Sequence, residues 1–374
     1  MIITTRSRGV AQTVTEFHRQ ITEKAIFENW QKLHKVNGQG VHVNNIADLE
    51  LDCVQRRITT DPVYSIGNLK KTEDSLFFDG ANGFGDNLFQ RVVIRYMLRY
   101  FKTIYLHTPC HDMYWDMPPG IKFVAEGHKW LRTQAKSASR TPKYLTAKLP
   151  MNIARKTYDY CPVRQLKHCS AWIIRKKLGL GSENFDFTFP IKPKWEAQAR
   201  RLVNDLKIGS KKLCILRPNT LRSEWNYPSR NPKNEHFQRI IDRYKDEYYF
   251  LSLADTVHLV EWMDGELRGV DRCFHGGEIP LPVVFGLIKI SDLVLCGPAF
   301  FMLAGIAIRA RTFAVWGGCS EPSASLDPCM GLNTLGYVAP DPSCNCFLPN
   351  HDCNREIPER ELYRAFEELK GREL

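Results

Sequence analysis

The sequence predicts an α/β protein with two doubly wound, Rossmann-like domains that face a cleft. Three observations predict this fold class. The chain has 374 residues, which suits two domains of ordinary size. A strand, a glycine-rich loop and a helix follow one another over residues 75–101, and a similar alternation of strands and helices restarts after residue 190. This rhythm is typical of parallel sheets, whose functional loops lie at the carboxyl ends of the strands.

The first domain is predicted over residues 1–190, with an N-terminal extension to which we assign no function. It contains a buried strand at 75–79 and a helix at 88–101, where apolar side chains recur at helical spacing. Two more strands are predicted, at 103–109 and at 121–127. Together these elements form a βαβ unit with a parallel sheet.

The second domain is predicted over residues 191–354, after the proline-containing segment FTFPIKPKW that we interpret as an interdomain linker. Its apolar runs predict strands at 212–218, 248–255, 271–276, 292–297 and 312–318, and helices at about 194–207, 233–246, 256–263, 281–290 and 298–310. Residues 355–374 contain a closing amphipathic helix.

The positive charge of the chain is concentrated in one stretch. The net charge is +11, and residues 128–177 contain 13 of the 52 Lys and Arg but only one of the 41 Asp and Glu. Such a block attracts a polyanion and steers its approach. Solubility does not require charge of one sign in one place. We therefore interpret the block as a basic insertion for a polyanionic partner, with nucleic acid favoured.

The sequence predicts a cytoplasmic protein. The first residues lack the apolar core of a secretory signal, and no run approaches the roughly 20 apolar residues that span a bilayer. Twelve cysteines in a chain of this length are typical of reduced thiols rather than of a disulfide framework.

A glycine-rich loop joins the strand at 75–79 to the following helix. It reads Gly80-Ala-Asn-Gly83-Phe-Gly85-Asp86, and its spacing differs from the dinucleotide-binding pattern GxGxxG. Glycines allow a ligand to approach the backbone, and a helix N-terminus favours an anion. Asp86 has two interpretations, a helix-capping residue and a functional carboxylate.

From this loop onward the chain resembles glycosyltransferase family 9, the heptosyltransferases of lipopolysaccharide assembly, whose two-domain fold is called GT-B. Gly83-x-Gly85-Asp86-x-Leu88 resembles the first motif of the family. The strand at 212–217 with its loop, and the strand, helix and strand from Asp292 to Gly318, resemble its donor domain. The resemblance implies an acceptor-binding first domain, a nucleotide-sugar-binding second domain and no resident cofactor.

The resemblance also implies roles for individual residues. Asp86 matches the catalytic base of the family, which takes the proton of the acceptor hydroxyl. The departing diphosphate is stabilised by arginine guanidinium groups, which can bind it in a bidentate manner, and by backbone N–H groups. The candidates for donor binding are Gly83, Gly85, Arg217, Arg222, Gly297, Pro298, Gly317, Gly318 and Glu321. For each arginine, an ion pair within the protein is the alternative.

The donor helix departs from the family pattern, which often reads Asp-x-Gly-x-x-His-Leu-Ala. Here the segment reads Gly297-Pro-Ala-Phe-Phe-Met-Leu-Ala304, without the acid or the histidine. No Asp-x-Asp pair occurs in the chain, so the sequence lacks the metal-diphosphate signature of the other large glycosyltransferase fold. A metal-independent mechanism fits that absence. Transfer with inversion requires a base near the acceptor, the role that Asp86 matches.

The acceptor side is predicted from residues near the first sheet and within the basic block. His107 and His111 flank the end of a strand, and with Asp112 they are the alternative candidates for the base. The basic candidates for acceptor binding are Lys129, Arg132, Lys136, Arg140 and Lys143.

The C-terminal cysteines form a separate pattern. Cys344, Cys346, His351 and Cys353, with Cys319 and Cys329 upstream, offer the ligand types of a tetrahedral zinc site. Their spacing is tighter than that of common zinc knuckles. The sequence therefore favours thiols that act as small apolar side chains over a metal site.

Three hypotheses of function remain open. The first is a glycosyltransferase acting on a polyanion, with hydroxymethyl-pyrimidine-modified DNA as the specific candidate. The second is a heptosyltransferase-like enzyme with a saccharide or lipopolysaccharide acceptor, as the family resemblance implies. The third is a non-catalytic α/β protein that binds nucleic acid through the basic block.

Overall fold

The computed structural model describes residues 74–81, 83–124, 127, 131, 168–222, 228–256, 261–344, 346 and 351–373, and the backbone of a strand at 154–157. It also describes the backbone of two short antiparallel pairs near the N-terminus. These pair Ile2–Ile3 with Thr15–Glu16 and Arg6–Ser7 with Val10–Ala11.

The first domain is built on a four-stranded parallel sheet. Its strands, in chain order, are β1 (Ser75–Asp79), β2 (Thr103–His107), β3 (Ile121–Phe123) and β4 (Ala154–Thr157), and their spatial order is β3-β2-β1-β4. Helix α1 (Phe84–Met97) connects β1 to β2, and α2 (Ser170–Leu178) packs against α1. Leu76, Phe77 and Phe78 are all buried, as expected for a strand covered on both faces.

The second domain is built on a six-stranded parallel sheet. Its strands are β5 (Lys212–Leu216), β7 (Tyr248–Leu253), β9 (Arg272–Phe274), β10 (Leu293–Cys296), β11 (Thr312–Val315) and β12 (Leu335–Val338). A small antiparallel pair, β6 (Thr220–Arg222) with β8 (Glu261–Met263), stands beside this sheet. The helices are α3 (Pro193–Leu206), α4 (Asn234–Tyr244), α5 (Leu281–Ile290), α6 (Phe300–Ile308) and α7 (Glu359–Lys370).

The strand order of the second sheet is β9-β7-β5-β10-β11-β12. Along the chain, the first three strands are added outward from β5, and the chain then crosses back to add β10 on the other side. This is the doubly wound order of a Rossmann fold, and it confirms the predicted fold class.

Three elements of the second domain differ from the sequence prediction. Residues 220–222, which the sequence places in a loop, form strand β6. Residues 256–263 were predicted as a helix, but Glu261–Met263 forms strand β8. It pairs with β6, for example Trp262 with Leu221, and this contact between distant residues outweighs the local helical pattern. Strand β12 was not predicted, because its sequence LGYV is short and contains a glycine.

Parts of the basic block belong to the fold itself. Strand β4 pairs with β1 inside the first sheet. Helix α2 buries Ala171, Ile173 and Ile174 while Lys176 and Lys177 are exposed. In α2, exposed basic residues therefore share a helix with buried apolar residues.

The segment between the domains is packed into the core. Phe185, Phe187 and Phe189 are buried and alternate with more exposed residues, as in an extended chain with one face covered. Phe187 contacts Phe89 of α1, and Phe189 contacts Phe285 of α5, at ring-centroid distances of 5.0 and 4.7 Å. The segment therefore joins the two domains through a shared apolar core.

Within the described part of the chain, no helix has the length and apolar character that crossing a membrane would require.

Candidate functional site

The sheet topology defines a crevice in the second domain. Strands β5 and β10 are neighbours, although one precedes and the other follows the crossover of the chain. Their following loops begin at Arg217 and Gly297 and lead away on opposite sides of the sheet. In doubly wound sheets, ligands bind outside the carboxyl ends of the strands at this switch point. Gly297 and Pro298 lie there, shortly before α6, which begins at Phe300 rather than at the predicted residue 298. Their role in donor binding stays a prediction.

The glycine loop of the first domain is held by a buried asparagine that the sequence analysis did not identify. Asn87 is fully buried, and its Nδ2 donates to the carbonyl oxygens of Ala81 and Gly83, each at 2.8 Å. At the start of the loop, the Gly80 N–H donates to the His107 carbonyl oxygen at 2.9 Å. These bonds fix the loop between β1 and α1.

Three further buried side chains complete this network. Gln90 Oε1 accepts from the Ala81 N–H at 2.6 Å, and its Nε2 donates to the Tyr114 hydroxyl at 2.6 Å. Tyr114 donates to Asn87 Oδ1 at 2.7 Å, and the Thr108 hydroxyl lies 2.9 Å from the same oxygen. Burial raises the pKa of Tyr114 well above its usual range, so the phenol keeps its proton. The network holds the loop in one conformation.

Asp86 lies in the first turn of α1, while Gly83 occupies the N-cap position. An ideal Cβ on Gly83 would lie 2.5 Å from Asp86 Oδ2. The carboxylate therefore folds back over Gly83 at the positive end of the helix dipole, which favours its charge. Asp86 is a first-turn residue, not the N-cap residue itself, and its side chain is partly exposed at the end of β1.

His107 pairs with a carboxylate that the sequence analysis overlooked. His107 and Asp79 are register partners at the ends of β2 and β1, and His107 Nδ1 lies 3.1 Å from Asp79 Oδ1. The imidazole is buried, whereas 43% of the Asp79 side chain is exposed. The signal for Asp79 was its place as the last residue of a buried strand, directly before a glycine loop.

His111 and Asp112 begin a short 3₁₀ helix after β2. His111 is buried and stacks on Phe123 of β3, with ring centroids 3.9 Å apart. This stacking supports a packing role for His111. Asp112 is partly exposed beside it.

Gly85 lies where the two domains meet. An ideal Cβ on Gly85 would lie 3.0 Å from Leu303 Cδ1 and 3.9 Å from the Phe300 Cα. Gly85 is a predicted donor-binding residue, and the structure gives it a packing role, because α1 and α6 touch at this point. The contact brings the first turns of both helices together.

Arg217 is engaged by the protein itself. Its guanidinium lies 2.7 Å from Glu261 Oε1, and it also donates to the Leu253 carbonyl oxygen and the Thr220 hydroxyl, both at 3.1 Å. Glu261 is buried, with a side chain 4% exposed. The ion pair anticipated as an alternative is thus present, and it fixes the β6–β8 pair beside β5.

Arg222 and Glu321 are the two other charged candidates for donor binding. Arg222 ends β6, opposite Glu261 in the register. Glu321 occupies the N-cap position of a short 3₁₀ helix, Pro322–Ala324, that follows the β11 loop. Both side chains are partly exposed near the carboxyl edge of the second sheet.

Gly317 and Gly318 follow β11 and are buried. An ideal Cβ on Gly317 would lie 2.1 Å from the Arg230 carbonyl oxygen, and one on Gly318 would lie 2.4 Å from the Cys353 Cβ. From the sequence, these glycines are predicted to let a ligand approach the backbone. In the structure, other parts of the same chain approach them, and the Gly318 N–H donates to the Ser229 carbonyl oxygen at 2.7 Å.

The C-terminal cysteines and histidine lie together. The ligand atoms of Cys344, Cys346, His351 and Cys353 are all within 4.8 Å of one another. Cys319 is buried nearby in the β11 loop, whereas Cys329 lies elsewhere, beside Asp327 and Arg175. The sequence favours a structural tail without metal at these residues.

The basic candidates for acceptor binding fall outside the residues that the structure describes. This applies to Lys129, Arg132, Lys136, Arg140 and Lys143. Their role stays a prediction from the sequence.

Comparison with known proteins agrees with this architecture. No family model and no curated protein matches the chain by sequence. Among solved structures, the chain is similar to a family 9 glycosyl transferase from Veillonella parvula, with a TM-score of 0.53, 12% identity and coverage of 81% of this chain and 99% of that one.

Two Escherichia coli structures are similar to the same extent. ADP-heptose lipopolysaccharide heptosyltransferase II gives a TM-score of 0.53 at 11% identity, covering 79% of this chain and 98% of the other. The iron-containing dodecameric glycosyltransferase TibC gives 0.53 at 15% identity, covering 81% and 77%. The two doubly wound sheets and these neighbours establish that this chain has the GT-B fold of the family 9 glycosyltransferases.

Proposed function

We propose that this protein is a metal-independent, inverting glycosyltransferase that moves a sugar from a nucleotide-sugar donor to an acceptor hydroxyl. The observation that best supports this proposal is the packing contact between α1 and α6. Their first turns follow the glycine loop of the first sheet and the switch-point strand of the second, and they pack through Phe84 and Phe300 at 5.1 Å. The carboxyl ends of both sheets therefore open toward one region.

The donor diphosphate is proposed to bind at the N-terminus of α6. This helix begins after Gly297 and Pro298, and Ala299 at its N-cap has no side chain that accepts a hydrogen bond. Backbone N–H groups and the helix dipole favour an anion there. Arg222 and Glu321 are proposed to reach the diphosphate and the ribose hydroxyls. Arg217 is proposed to position the loop after β5 through its bond to Glu261.

Asp86 is proposed as the base that takes the acceptor proton. Its carboxylate lies over the loop that the Asn87 network holds in place. Such fixed geometry is what proton transfer in the transition state requires. The pair formed by Asp79 and His107 is the alternative base on the same edge of the sheet.

We propose an anionic saccharide as the acceptor. Two of the structural neighbours are named as heptosyltransferases, one of them acting on lipopolysaccharide. The charge of residues 128–177, with 13 basic side chains and one acid, supports an acceptor that carries negative charge. Modified DNA is the second candidate and rests on this charge alone. The non-catalytic hypothesis rests on the missing acid and histidine at the donor helix.

A donor panel tests the proposal. The full chain is incubated separately with ADP-heptose, other nucleotide sugars and the free nucleotides, and thermal stabilisation and slow donor hydrolysis are measured. We expect one nucleotide sugar to stabilise the protein and to be hydrolysed, with hydrolysis reduced in the Asp86→Asn variant. The absence of stabilisation by every nucleotide sugar, together with retained binding of nucleic acid, would support the non-catalytic hypothesis.

A further inference from the structure

Four side chains of the types that bind metals lie close together, near the loop that follows β11 and contains Gly317 and Gly318. His351 Nδ1 lies 3.0 Å from Cys353 Sγ, 3.3 Å from Cys346 Sγ and 3.5 Å from Cys344 Sγ, and the sulfurs of Cys346 and Cys353 are 3.4 Å apart. The cluster combines a buried thiol, two partly exposed thiols and an exposed imidazole.

Hydrogen bonding within the protein does not account for this arrangement. One imidazole nitrogen either donates one proton or accepts one, and a thiol is a weak partner in both roles. Here three sulfur atoms surround the same ring nitrogen. Atoms that each carry a lone pair gather in this way around a cation that they share.

The distances are close to those of a tetrahedral centre. A zinc ion with Zn–S of about 2.3 Å and Zn–N of about 2.0 Å has edges of about 3.5 Å between nitrogen and sulfur and about 3.8 Å between two sulfurs. The three nitrogen–sulfur distances of 3.0 to 3.5 Å and the sulfur–sulfur distance of 3.4 Å equal these edges or are shorter by at most about 0.5 Å. Three thiolates and one imidazole form one of the ligand sets of structural zinc sites.

We propose that Cys344, Cys346, Cys353 and Nδ1 of His351 bind a structural zinc ion. All four tetrahedral positions are then filled by protein, so the site does no chemistry on substrate. The sequence alone gave little weight to zinc, because the Cys-x-Cys spacing is unusual. The chain folds so that the second pair, His351 and Cys353, closes on the first.

The site fastens the tail to the β11 loop. The Cys353 Cβ lies where a side chain on Gly318 would extend, and the Gly318 N–H donates to the Ser229 carbonyl oxygen. Two residues beyond Cys353, Arg355 donates to the Pro228 carbonyl oxygen at 3.1 Å, and its own carbonyl oxygen lies 2.9 Å from His236 Nε2. Zinc would hold the segment of Cys353 and Arg355 against Gly318 and against residues 228–229. Gly318 belongs to the loop after β11 that is predicted to contact the donor.

Metal analysis of the purified full chain tests the site without any substrate, so its result is independent of the proposed glycosyl transfer. The wild-type protein, His351→Ala, Cys346→Ser and the control Cys273→Ser are purified without chelator, and metals are measured by mass spectrometry. His351 and Cys273 are exposed, so neither change removes core packing. We expect about one zinc per chain in the wild type and the control, and most of it lost from the two cluster variants.

Cobalt replacement and thiol counting provide the second measurement. Removing zinc and adding Co²⁺ should produce the visible bands of tetrahedral cobalt-thiolate in the wild type and in Cys273→Ser, but not in Cys346→Ser. Metal removal should also lower the Tm of the wild type and leave that of His351→Ala unchanged. A wild-type protein without zinc that gives no cobalt bands would overturn the proposal. A disulfide between Cys346 and Cys353, or stoichiometric iron in place of zinc, would also overturn it.

Discussion

Phe84 and Phe300 place their rings 5.1 Å apart and join the first turn of α1 in one domain to the first turn of α6 in the other. Gly85 and Leu303 pack beside them. Residues flanking the two predicted ligand-binding loops are thus in direct contact. A change in this contact therefore reaches both loops, and the buried segment at 185–189 reinforces it.

Gly317→Ala distinguishes close packing from ligand approach as the reason for this glycine. The new methyl group would lie 2.1 Å from the Arg230 carbonyl oxygen, so the backbone must shift. We expect a loss of about 1–3 kcal/mol in the free energy of unfolding, measured by urea denaturation without ligand. Gly371→Ala is the control, since its nearest atom would be 3.5 Å away, and it should change stability by less than about 0.5 kcal/mol. If Gly317→Ala leaves the free energy of unfolding unchanged, close packing is not the reason for the glycine, and a ligand-binding role is supported instead.

Asp86→Asn tests the proposed base. Gly83 occupies the N-cap position, so the substitution leaves the cap in place and removes only the carboxylate in the first turn. We expect normal folding and donor binding, with transfer slowed by about 100-fold or more. Single-turnover kinetics with saturating donor measures this step. Asp79→Asn is assayed in parallel. If it abolishes transfer while Asp86→Asn retains the wild-type rate, the base is the pair of Asp79 and His107.

Arg217→Ala should destabilise the protein by about 3 kcal/mol, because it leaves the buried Glu261 carboxylate without its partner. The double variant Arg217→Met with Glu261→Met removes both charges and should recover most of that loss. Donor affinity is measured on the double variant by calorimetry, and we expect it to stay close to that of the wild type. A loss of roughly 1.5–3 kcal/mol in donor binding would instead assign Arg217 to the diphosphate.

Neutralising the basic block should weaken binding of the acceptor and not of the donor. Replacing Lys129, Arg132, Lys136, Arg140 and Lys143 by Ala removes five positive charges. We expect a higher KM for an anionic saccharide acceptor and a weaker dependence of that KM on salt, with donor affinity unchanged. Duplex DNA is added as a competitor. Strong competition that disappears in the variant would favour the nucleic-acid acceptor, and an unchanged KM would contradict a role of the block in acceptor binding.

His236 gives the stability a dependence on pH. Its ring is buried, and this burial lowers its pKa in the folded protein below the ordinary value of about 6.5. As the pH falls below about 6.5, the unfolded chain takes up a proton before the folded chain does, so the free energy of unfolding decreases. Urea denaturation at about pH 7.5 and about pH 5.5 should show this decrease in the wild type and a smaller one in His236→Gln. Equal decreases in both chains would exclude His236 as a source.

The strands and helices that could be predicted are those whose residues show a local sequence pattern. Continuous apolar runs located β1, β5, β7, β10 and β11, and helical spacing located α1, α3, α4 and α6 within a few residues. The glycine loop was recognisable because a buried strand precedes it and an amphipathic helix follows it. The ends of these elements shifted, as at α1, which begins at Phe84 rather than at residue 88.

The sequence by itself therefore determined the two doubly wound domains and the loop that carries Asp86, since each depends on residues close together in the chain. Only the tertiary structure decided the rest. It paired β8 with β6, placed the Gly85 backbone against Leu303, and closed His351 and Cys353 onto Cys344 and Cys346. Those contacts depend on which distant segments meet. Their free energy comes from packing and hydrogen bonding between distant segments, which no local sequence pattern records.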